Sequence, residues 1–420
     1  MNWLKRNTEG FAKDRAGSIA IVFSLVLVVL VCLLGLAIDF ARAQRASAVV
    51  MRSIDAAALY GSKVMVEDEA SDGEVKIRVA NFLDSQIRTN TMQGSSYSGL
   101  HMITDPVEGS VSIDVEVHVP TTFSRIFNAD SINFHKSAKT SYKIKAVELA
   151  MVLDTTGSMG SNNKIDELKV AAAQAIDILM PPNRPAFNKI ALAPYSASVN
   201  AGALAGAVSN GASIDQCVVE RQGATTATDD LPVAADALLI ADTVLNPNYS
   251  CPVQEIMPLN KDANLLKATI NAYGVGGGTA GHIGLAWGWY LISPNWNGFW
   301  PAVSAAKPYG DPKTIKAIIM MTDGAFNTSY YNGPINTTSA PQGLALCDAI
   351  KAAGITIYTI GFELASNPPP DDVNAPILLS ACASPDGGGG TEFYNATNGS
   401  DLSAAFVKIA GKLSKLRLSN

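Results

Sequence analysis

Asp154, Thr156 and Ser158 place a carboxylate and two hydroxyls at every second position, directly after an apolar, strand-like run at residues 147–153. At this spacing the three side-chain oxygens can point toward one place. Hard divalent cations such as Mg²⁺ prefer oxygen ligands and often keep water in their other positions, so the turn is a candidate cation site. Asp, Thr and Ser also cap helices and stabilise turns without any metal, and the turn alone fits that interpretation as well.

A second carboxylate, Asp323, follows another apolar run at residues 315–321. Strand-like runs also occupy residues 189–195 and 354–361, and segments with helical periodicity separate them. Strands that alternate with helices indicate right-handed βαβ units, and hence an α/β fold with a doubly wound, mainly parallel sheet. Because sites in such sheets form at the carboxyl ends of the strands, we expect Asp154 and Asp323 to share one edge.

An apolar run without charged side chains occupies residues 17–38. As a helix, a run of this length can cross about 30 Å of hydrocarbon, which predicts a transmembrane helix. A cleaved signal peptide is the alternative, although its apolar part is normally about 7–15 residues long. Basic residues flank the run on both sides and do not set its orientation. Helical propensity continues beyond the run, and this extension could pack on its own domain or on partner helices.

Composition limits the classes of function. Of the 420 residues, 48 % are hydrophobic and 16 % are charged, and the formal net charge is −6. These values are typical of a folded chain with two or three structural units. The acidic balance argues against nucleic acid as a partner, because phosphate contacts need clustered Lys and Arg. Proteins or surfaces are the expected partners.

The positions of the cysteines indicate whether the chain resides in an oxidising or a reducing compartment of the cell. Cys32 lies in the apolar run, and the other four form an even set without CxxC spacing: Cys217, Cys251, Cys347 and Cys382. They are interpreted either as two disulfides in an oxidising compartment or as buried thiols. Three pairings are possible, and the hypothesis is that Cys217–Cys251 closes a long inserted segment while Cys347–Cys382 joins two late helices. Disulfides would place the long C-terminal part outside the cytoplasm.

Three segments, AMVLDTTGSMG, GGGTAGHIGLAWG and IIMMTDGAFN, resemble the metal-site loops of a von Willebrand factor A domain. The resemblance covers residues 146–418 and implies a Rossmann-like fold with five ligands for Mg²⁺, or Mn²⁺ or Ca²⁺: Asp154, Thr156, Ser158, Thr279 and Asp323. It also implies an open position that accepts an acidic residue of a protein partner. The family more often has Ser where this chain has Thr156, and the hydroxyl is kept.

The N-terminal segments AGSIAIVFSLVLVVLVCLLGLAIDFARA and SIDAAALYGSK resemble TadE/TadG-like proteins of tight-adherence (Flp-type) pilus systems. This resemblance implies a single-pass protein of the bacterial inner membrane, with its C-terminal domain in the periplasm or at the cell surface. Other pilus-assembly proteins would be partners. Some relatives are processed like prepilins and carry Glu five residues beyond the cleavage point, but Val22 stands at that place after Gly17.

Two functions follow from these resemblances: cation-dependent protein binding or adhesion, or a structural or pilin-like subunit whose metal site is dispensable. Enzyme activity is not expected, because no GxSxG, HExxH or shared Cys/His site occurs. The predicted organisation comprises a cytoplasmic N-terminus (1–16), a transmembrane helix (17–38), a pilin-like helical extension (39–73), a small α+β region (74–145) and a von Willebrand factor A domain (146–418) with an insertion at about 199–262.

Overall fold

The computed structural model describes residues 16–67, 70–89, 95–105, 109–141, 145–182, 187–212, 216–233, 238–241, 251–330, 339–364 and 375–416. The chain forms two compact units, residues 1–142 and 143–420. The predicted cytoplasmic N-terminus, residues 1–16, lies outside the described residues except for Ala16.

The first unit begins with helix α1, Ala16–Glu67, which is continuous over 52 residues. Its N-terminal part is apolar and exposed: the most apolar 18-residue window has a mean hydropathy of 3.3 and is 6 % buried. By length and composition α1 can cross a membrane, and the described residues contain no second helix of this kind. The predicted transmembrane helix and the extension that follows it are therefore one helix as far as Glu67.

The C-terminal half of α1 packs within its own unit. It lies against helix α2 (Asp72–Thr89) and an antiparallel sheet of β1 (Ser96–Asp105), β2 (Ser110–Pro120) and β3 (Ser131–Ser141). Alternating side chains of β2 meet both helices in one apolar core: Val111, Ile113, Val115, Val117, Val50, Ile54, Ala58, Val79 and Leu83. Of the two packings that the sequence allowed for this helix, the structure shows the one within the unit.

The second unit alternates strands and helices. Its strands are β4 (Ala146–Asp154), β5 (Lys189–Tyr195), β6 (Val199–Asn200), β7 (Cys217–Arg221), β8 (Leu239–Ala241), β9 (Met257–Asn260), β10 (Thr314–Thr322), β11 (Thr356–Phe362) and β12 (Phe393–Ala396). Its helices are α3 (Lys164–Leu179), α4 (Ala205–Val208), α5 (Ala263–Asn271), α6 (Gly281–Ile292), α7 (Ala340–Ala352), α8 (Ala375–Cys382) and α9 (Gly399–Leu416).

Six of these strands form the main sheet, in the order β12-β11-β10-β4-β5-β9. All neighbouring pairs are parallel except β5 with β9. Helices cover both faces, because successive side chains of a strand point to opposite sides. Apolar side chains of α3, α5 and α9 line one face, and those of α6, α7 and α8 line the other. This confirms the predicted α/β class with a doubly wound, mainly parallel sheet.

Helix α6 is buried along its whole length. Two glycines let it approach the sheet closely. A Cβ at Gly284 would lie 2.5 Å from Cγ of Tyr195, and a Cβ at Gly288 would clash with Cγ2 of Val152. Any larger residue at either position would push α6 away from β4 and β5.

The predicted insertion, about 199–262, contains a small antiparallel sheet in the order β6-β7-β8. Its last part belongs to the main sheet, since β9 pairs with β5. Disulfides join Cys217 to Cys251 and Cys347 to Cys382, with Cα atoms 6.1 and 5.1 Å apart. The first bridge joins the start of β7 to Cys251, later in the same inserted segment, and the second links α7 to α8.

Candidate metal centre

The two predicted carboxylates lie at the same edge of the main sheet. Strands β4 and β10 are neighbours, and their register pairs Leu153 with Met321, so that Asp154 and Asp323 both follow at the carboxyl ends. Both are buried, with Asp154 fully enclosed and Asp323 6 % exposed. Strand order and register, set by the apolar runs, therefore bring together two acids that are far apart in the sequence.

Hydroxyls of the first loop join the carboxylates. The short 3₁₀ helix Gly157–Gly160 turns the chain directly after Thr156. The Oγ atoms of Thr156 and Ser158 are 3.0 Å apart, and Ser158 donates to Oδ1 of Asp323 over 2.7 Å. The backbone N–H of Thr156 donates to Oδ1 of Asp154 over 2.8 Å. Four of the five predicted site residues thus form one connected polar cluster.

The fifth predicted site residue, Thr279, lies in a second loop. This loop is hydrogen-bonded to the first loop, which follows β4, and to the third loop, which follows β10. Its neighbours bind the first loop, because Gly157 N–H donates to the carbonyl of Gly277 and Gly276 N–H donates to the carbonyl of Thr155. Thr279 binds the third loop, since its N–H donates to Oδ1 of Asn327 and its carbonyl accepts from the N–H of Asn327. The three loops are therefore hydrogen-bonded to one another, although the side chain of Thr279 takes no part in these bonds.

Sequence reasoning missed Lys164, the first residue of α3. Its Nζ lies 3.1 Å from Oδ2 of Asp323 and 3.9 Å from a carboxylate oxygen of Glu363. Asn162 and Asn163, with φ of 52° and 65°, form the turn before it, and Asn tolerates this left-handed region better than most residues. No local spacing relates Lys164 to Asp323, so only the folded chain reveals the pair.

Sequence reasoning also missed Tyr195 and Thr322. Their hydroxyls bind the carboxylate oxygen of Asp154 that the N–H of Thr156 does not contact. The hydroxyl of Thr322 donates to Oδ2 of Asp154 over 2.8 Å, and that of Tyr195 donates to the same oxygen over 3.3 Å. Burial raises the pKa of the Tyr195 hydroxyl well above its usual range, and nearby Asp154 raises it further. Tyr195 therefore stays a neutral donor.

The electrostatics of the cluster favour a cation. Burial, and next the charge of Asp323, raise the pKa of Asp154 to about 6. Two carboxylates that share a buried place repel each other, and a positive charge between them would relieve that repulsion. Lys164 supplies one positive charge, at the oxygen of Asp323 that Ser158 does not contact.

The donor set fits a hard divalent cation. It consists of carboxylate and hydroxyl oxygens, which suit Mg²⁺, Mn²⁺ and Ca²⁺ better than softer metals. Within the described ranges, no group of three or more His, Cys, Asp or Glu side chains could hold a metal ion. A cation at this edge would therefore depend on the hydroxyls as well as on the two acids.

Comparison with known families identifies the N-terminal segment. Residues 17–70 match the model of the Flp pilus-assembly TadE/G-like family. This segment resembles the TadE/G-like family. The match begins in the apolar run and extends just past the end of α1. No curated protein was found to match the chain.

Solved structures similar to the chain include domains of pilus proteins. The pilus adhesin SpaC from Lactobacillus rhamnosus GG is 14 % identical, with a TM-score of 0.40 over 76 % of this chain and 35 % of SpaC. The vWF domain of the type V pili tip protein Mfa5 from Porphyromonas gingivalis is 14 % identical, with a TM-score of 0.41 over 66 % of this chain and 97 % of that domain. The adhesive tip pilin GBS104 from Group B Streptococcus agalactiae is 12 % identical, with a TM-score of 0.37 over 64 % of this chain and all of that chain.

None of these TM-scores reaches 0.5. The chain also spans only 35 % of the length of SpaC. What the comparisons establish is that residues 17–70 match the TadE/G-like family.

Proposed function

We propose that the protein is a membrane-anchored component of a tight-adherence (Flp-type) pilus system that binds a protein partner through a divalent cation. In this proposal the cation is held by Asp154, Thr156, Ser158, Thr279 and Asp323. An acidic side chain of the partner completes the coordination. The observation that carries the proposal is the cluster at one sheet edge of two buried carboxylates, the buried hydroxyl of Thr156 and the exposed hydroxyl of Ser158.

The anchoring part of the proposal rests on α1 and on the TadE/G-like match. The exposed apolar part of α1 spans the bacterial inner membrane once, and the second unit lies in the periplasm or at the cell surface. The two disulfides support this side of the membrane, because disulfides persist in oxidising compartments. The role is one of binding, so we expect the purified protein to release no product from peptide or phosphoester substrates.

Capture of partners from envelope extracts tests the binding role. Wild-type protein in Mg²⁺ is expected to retain partners that an Asp154→Ala variant does not, and EDTA should release them from the wild type. Asp166, an exposed acid on α3, provides the control, because Asp166→Ala removes an equal charge from a carboxylate that pairs with Lys169. Capture that persists in EDTA and in Asp154→Ala would contradict cation-dependent binding.

A second candidate function, a structural pilus-assembly subunit with a dispensable metal site, is favoured by one observation. Lys164 already pairs with Asp323 and offsets one buried carboxylate, so the loops can hold their arrangement without a cation. In that case, cells carrying Asp154→Ala together with Asp323→Ala would still assemble pili. Loss of surface attachment with pili intact would favour the adhesion role instead.

A further inference from the structure

The first unit carries an exposed apolar tip in the loop between β2 and β3. This loop contains the 3₁₀ helix Ser124–Phe127. Ile126 and Phe127 are 74 % and 58 % exposed, and Phe123 just before them is 36 % exposed. We call residues 121–129 the apolar loop. Large apolar side chains at the tip of a loop need an explanation, because single domains rarely expose them together without a partner.

The apolar loop is attached to α1 at the end of the apolar run. The carboxylate of Asp39 accepts hydrogen bonds from the N–H groups of Thr122, Phe123 and Ser124, at 2.7–2.9 Å. Arg42, one turn further along α1, donates to the hydroxyl of Thr122 over 2.6 Å. These contacts fix the position of the loop along the helix axis.

Phe123 packs against the apolar run itself. A Cβ at Gly35 would lie 2.6 Å from Cγ of Phe123, so the ring lies directly on the helix backbone. Gly35 precedes Asp39 by one helical turn, about 6 Å along the axis. The ring of Phe123 is therefore level with residues that the proposed anchor places in hydrocarbon.

Backbone hydrogen bonding suits the apolar loop to a medium of low polarity. Three of its N–H groups are bound by Asp39, and those of Asn128 and Ala129 donate to the carbonyls of Arg125 and Ser124. Unbound N–H groups would keep a loop out of lipid, since each costs several kcal/mol there. Arg125 is exposed beside the tip and pairs with the exposed Asp130 over 3.2 Å, and a long Arg side chain at this place can also extend toward lipid phosphates.

We propose that the apolar loop inserts into the bilayer that α1 spans, so that Ile126 and Phe127 contact acyl chains beside the helix. This inference rests on the proposed membrane anchoring by α1. The loop then gives the unit a second contact with the same leaflet and fixes its rotation about the helix axis. Lipid is the expected partner of the apolar loop, because Phe123 touches α1 at Gly35, which lies inside the apolar run.

Lipid quenching of a fluorophore tests the insertion. The full chain with Cys32→Ala is labelled with an environment-sensitive dye at Ile126→Cys or Phe127→Cys, and reconstituted in phosphatidylcholine nanodiscs with one protein in each. Dye at both loop positions is expected to show blue-shifted emission and quenching by nitroxide-bearing acyl chains. The substitutions are exposed, so the core of the unit is not disturbed.

Two labelled control positions separate the possible outcomes. Ile77, on α2, is 64 % exposed and lies near Val79, which contacts α1 at Gly61, roughly 33 Å beyond Asp39. Dye at Ile77→Cys should not be quenched. Dye at Leu30→Cys, inside the apolar run, should be quenched.

Quenching at position 30 without quenching at 126 and 127 would overturn the loop insertion and leave the anchor intact. Absence of quenching at position 30 would overturn the anchor itself and the insertion with it. A blue shift that appears only when several chains share a disc, without lipid quenching, would assign the apolar loop to a second copy and also overturn the insertion.

Discussion

At the residue scale, the candidate site combines two kinds of positive partner for buried acids. Lys164 is part of the chain, and a divalent cation would be an external one. Asp323 uses separate oxygens for Ser158 and for Lys164. Asp154 is bound by Thr322 and by the N–H of Thr156. The acids are therefore fixed in place before any cation binds, which favours binding because little rearrangement is needed.

Thr156 tests the role of a hydroxyl ligand. Thr156→Val keeps the shape of the side chain and removes the oxygen, whereas Thr156→Ser keeps the oxygen and removes the methyl group. We expect Thr156→Val to weaken Mn²⁺ affinity by about tenfold or more, since even contacts outside the ligand shell are worth about 10–100-fold. Thr156→Ser should bind like the wild type, as measured by isothermal titration calorimetry. Equal affinity in all three proteins would remove Thr156 from the ligand set.

Lys164 tests competition between the two cations. Lys164→Met removes the charge and keeps most of the aliphatic length, so Asp323 loses its partner in the metal-free protein. The metal-free variant should melt at a lower temperature, and Mg²⁺ should raise its Tm by more than it raises the Tm of the wild type, because ligand binding stabilises the folded state. A smaller increase in the variant would show that Lys164 supports the metal site.

The sequence was sufficient to place Asp154, Thr156, Ser158 and Asp323 in one cluster, because each follows or ends a recognisable apolar strand. It was not sufficient for Lys164, Tyr195 or Thr322. Lys164 and Asp323 are 159 positions apart, and their contact depends on how α3 begins after the Asn162–Asn163 turn. Tyr195 appears in the sequence only as the last residue of a strand.

At the element scale, long apolar strands were predictable and short ones were not. The run predicted at residues 189–195 coincides with β5, and the run predicted at 315–321 is β10 with one more residue at each end. Strand β9 has only four residues and includes Pro258, which removes a backbone donor and suits an edge position. Its pairing with β5 is decided by the fold, since so short a run has no detectable periodicity.

The close packing of α6 on the sheet gives a stability prediction. Gly288→Ala should lower the free energy of unfolding by about 1–3 kcal/mol, because the added methyl group clashes with Val152 in a filled core. Gly411, in α9, has open space around its Cα, so Gly411→Ala should raise stability by about 0.5–1 kcal/mol through helix propensity. Thermal unfolding of the two variants measures both effects. Similar Tm values would contradict the close contact of α6 with β4.

At the scale of the whole molecule, the described residues contain one long apolar helix, two compact units and two disulfides, and these features fit the proposed export of the chain behind an N-terminal anchor. The helix could be predicted from length and absence of charge alone. Its packing against α2 and the antiparallel sheet could not, because an apolar helix face looks the same whether it meets its own domain or a partner. The contact between Gly35 and Phe123 likewise depends on residues distant in the sequence.

The disulfides give a prediction about the whole fold. Loss of the Cys347–Cys382 bridge through a double Cys→Ser variant should destabilise the second unit by about 4 kcal/mol, from the chain entropy of a 35-residue separation. Cys32→Ser is the control, since Cys32 is free, and it should leave the Tm unchanged. Peptide mapping without reductant should recover the two bridged pairs from protein isolated from cells. Free thiols at these four positions would contradict both the pairing and the export of the unit.

The most direct measurement of the central claim is Mn²⁺ binding to the purified full-length protein, followed by electron paramagnetic resonance of the free ion. Wild-type protein and the surface variant Asp166→Asn are expected to bind one Mn²⁺ per chain, and Asp154→Asn, which keeps the size of the side chain, is expected to bind none at the same concentrations. Binding by Asp154→Asn equal to that of the wild type, or no binding by the wild type, would contradict a cation site at this edge of the sheet.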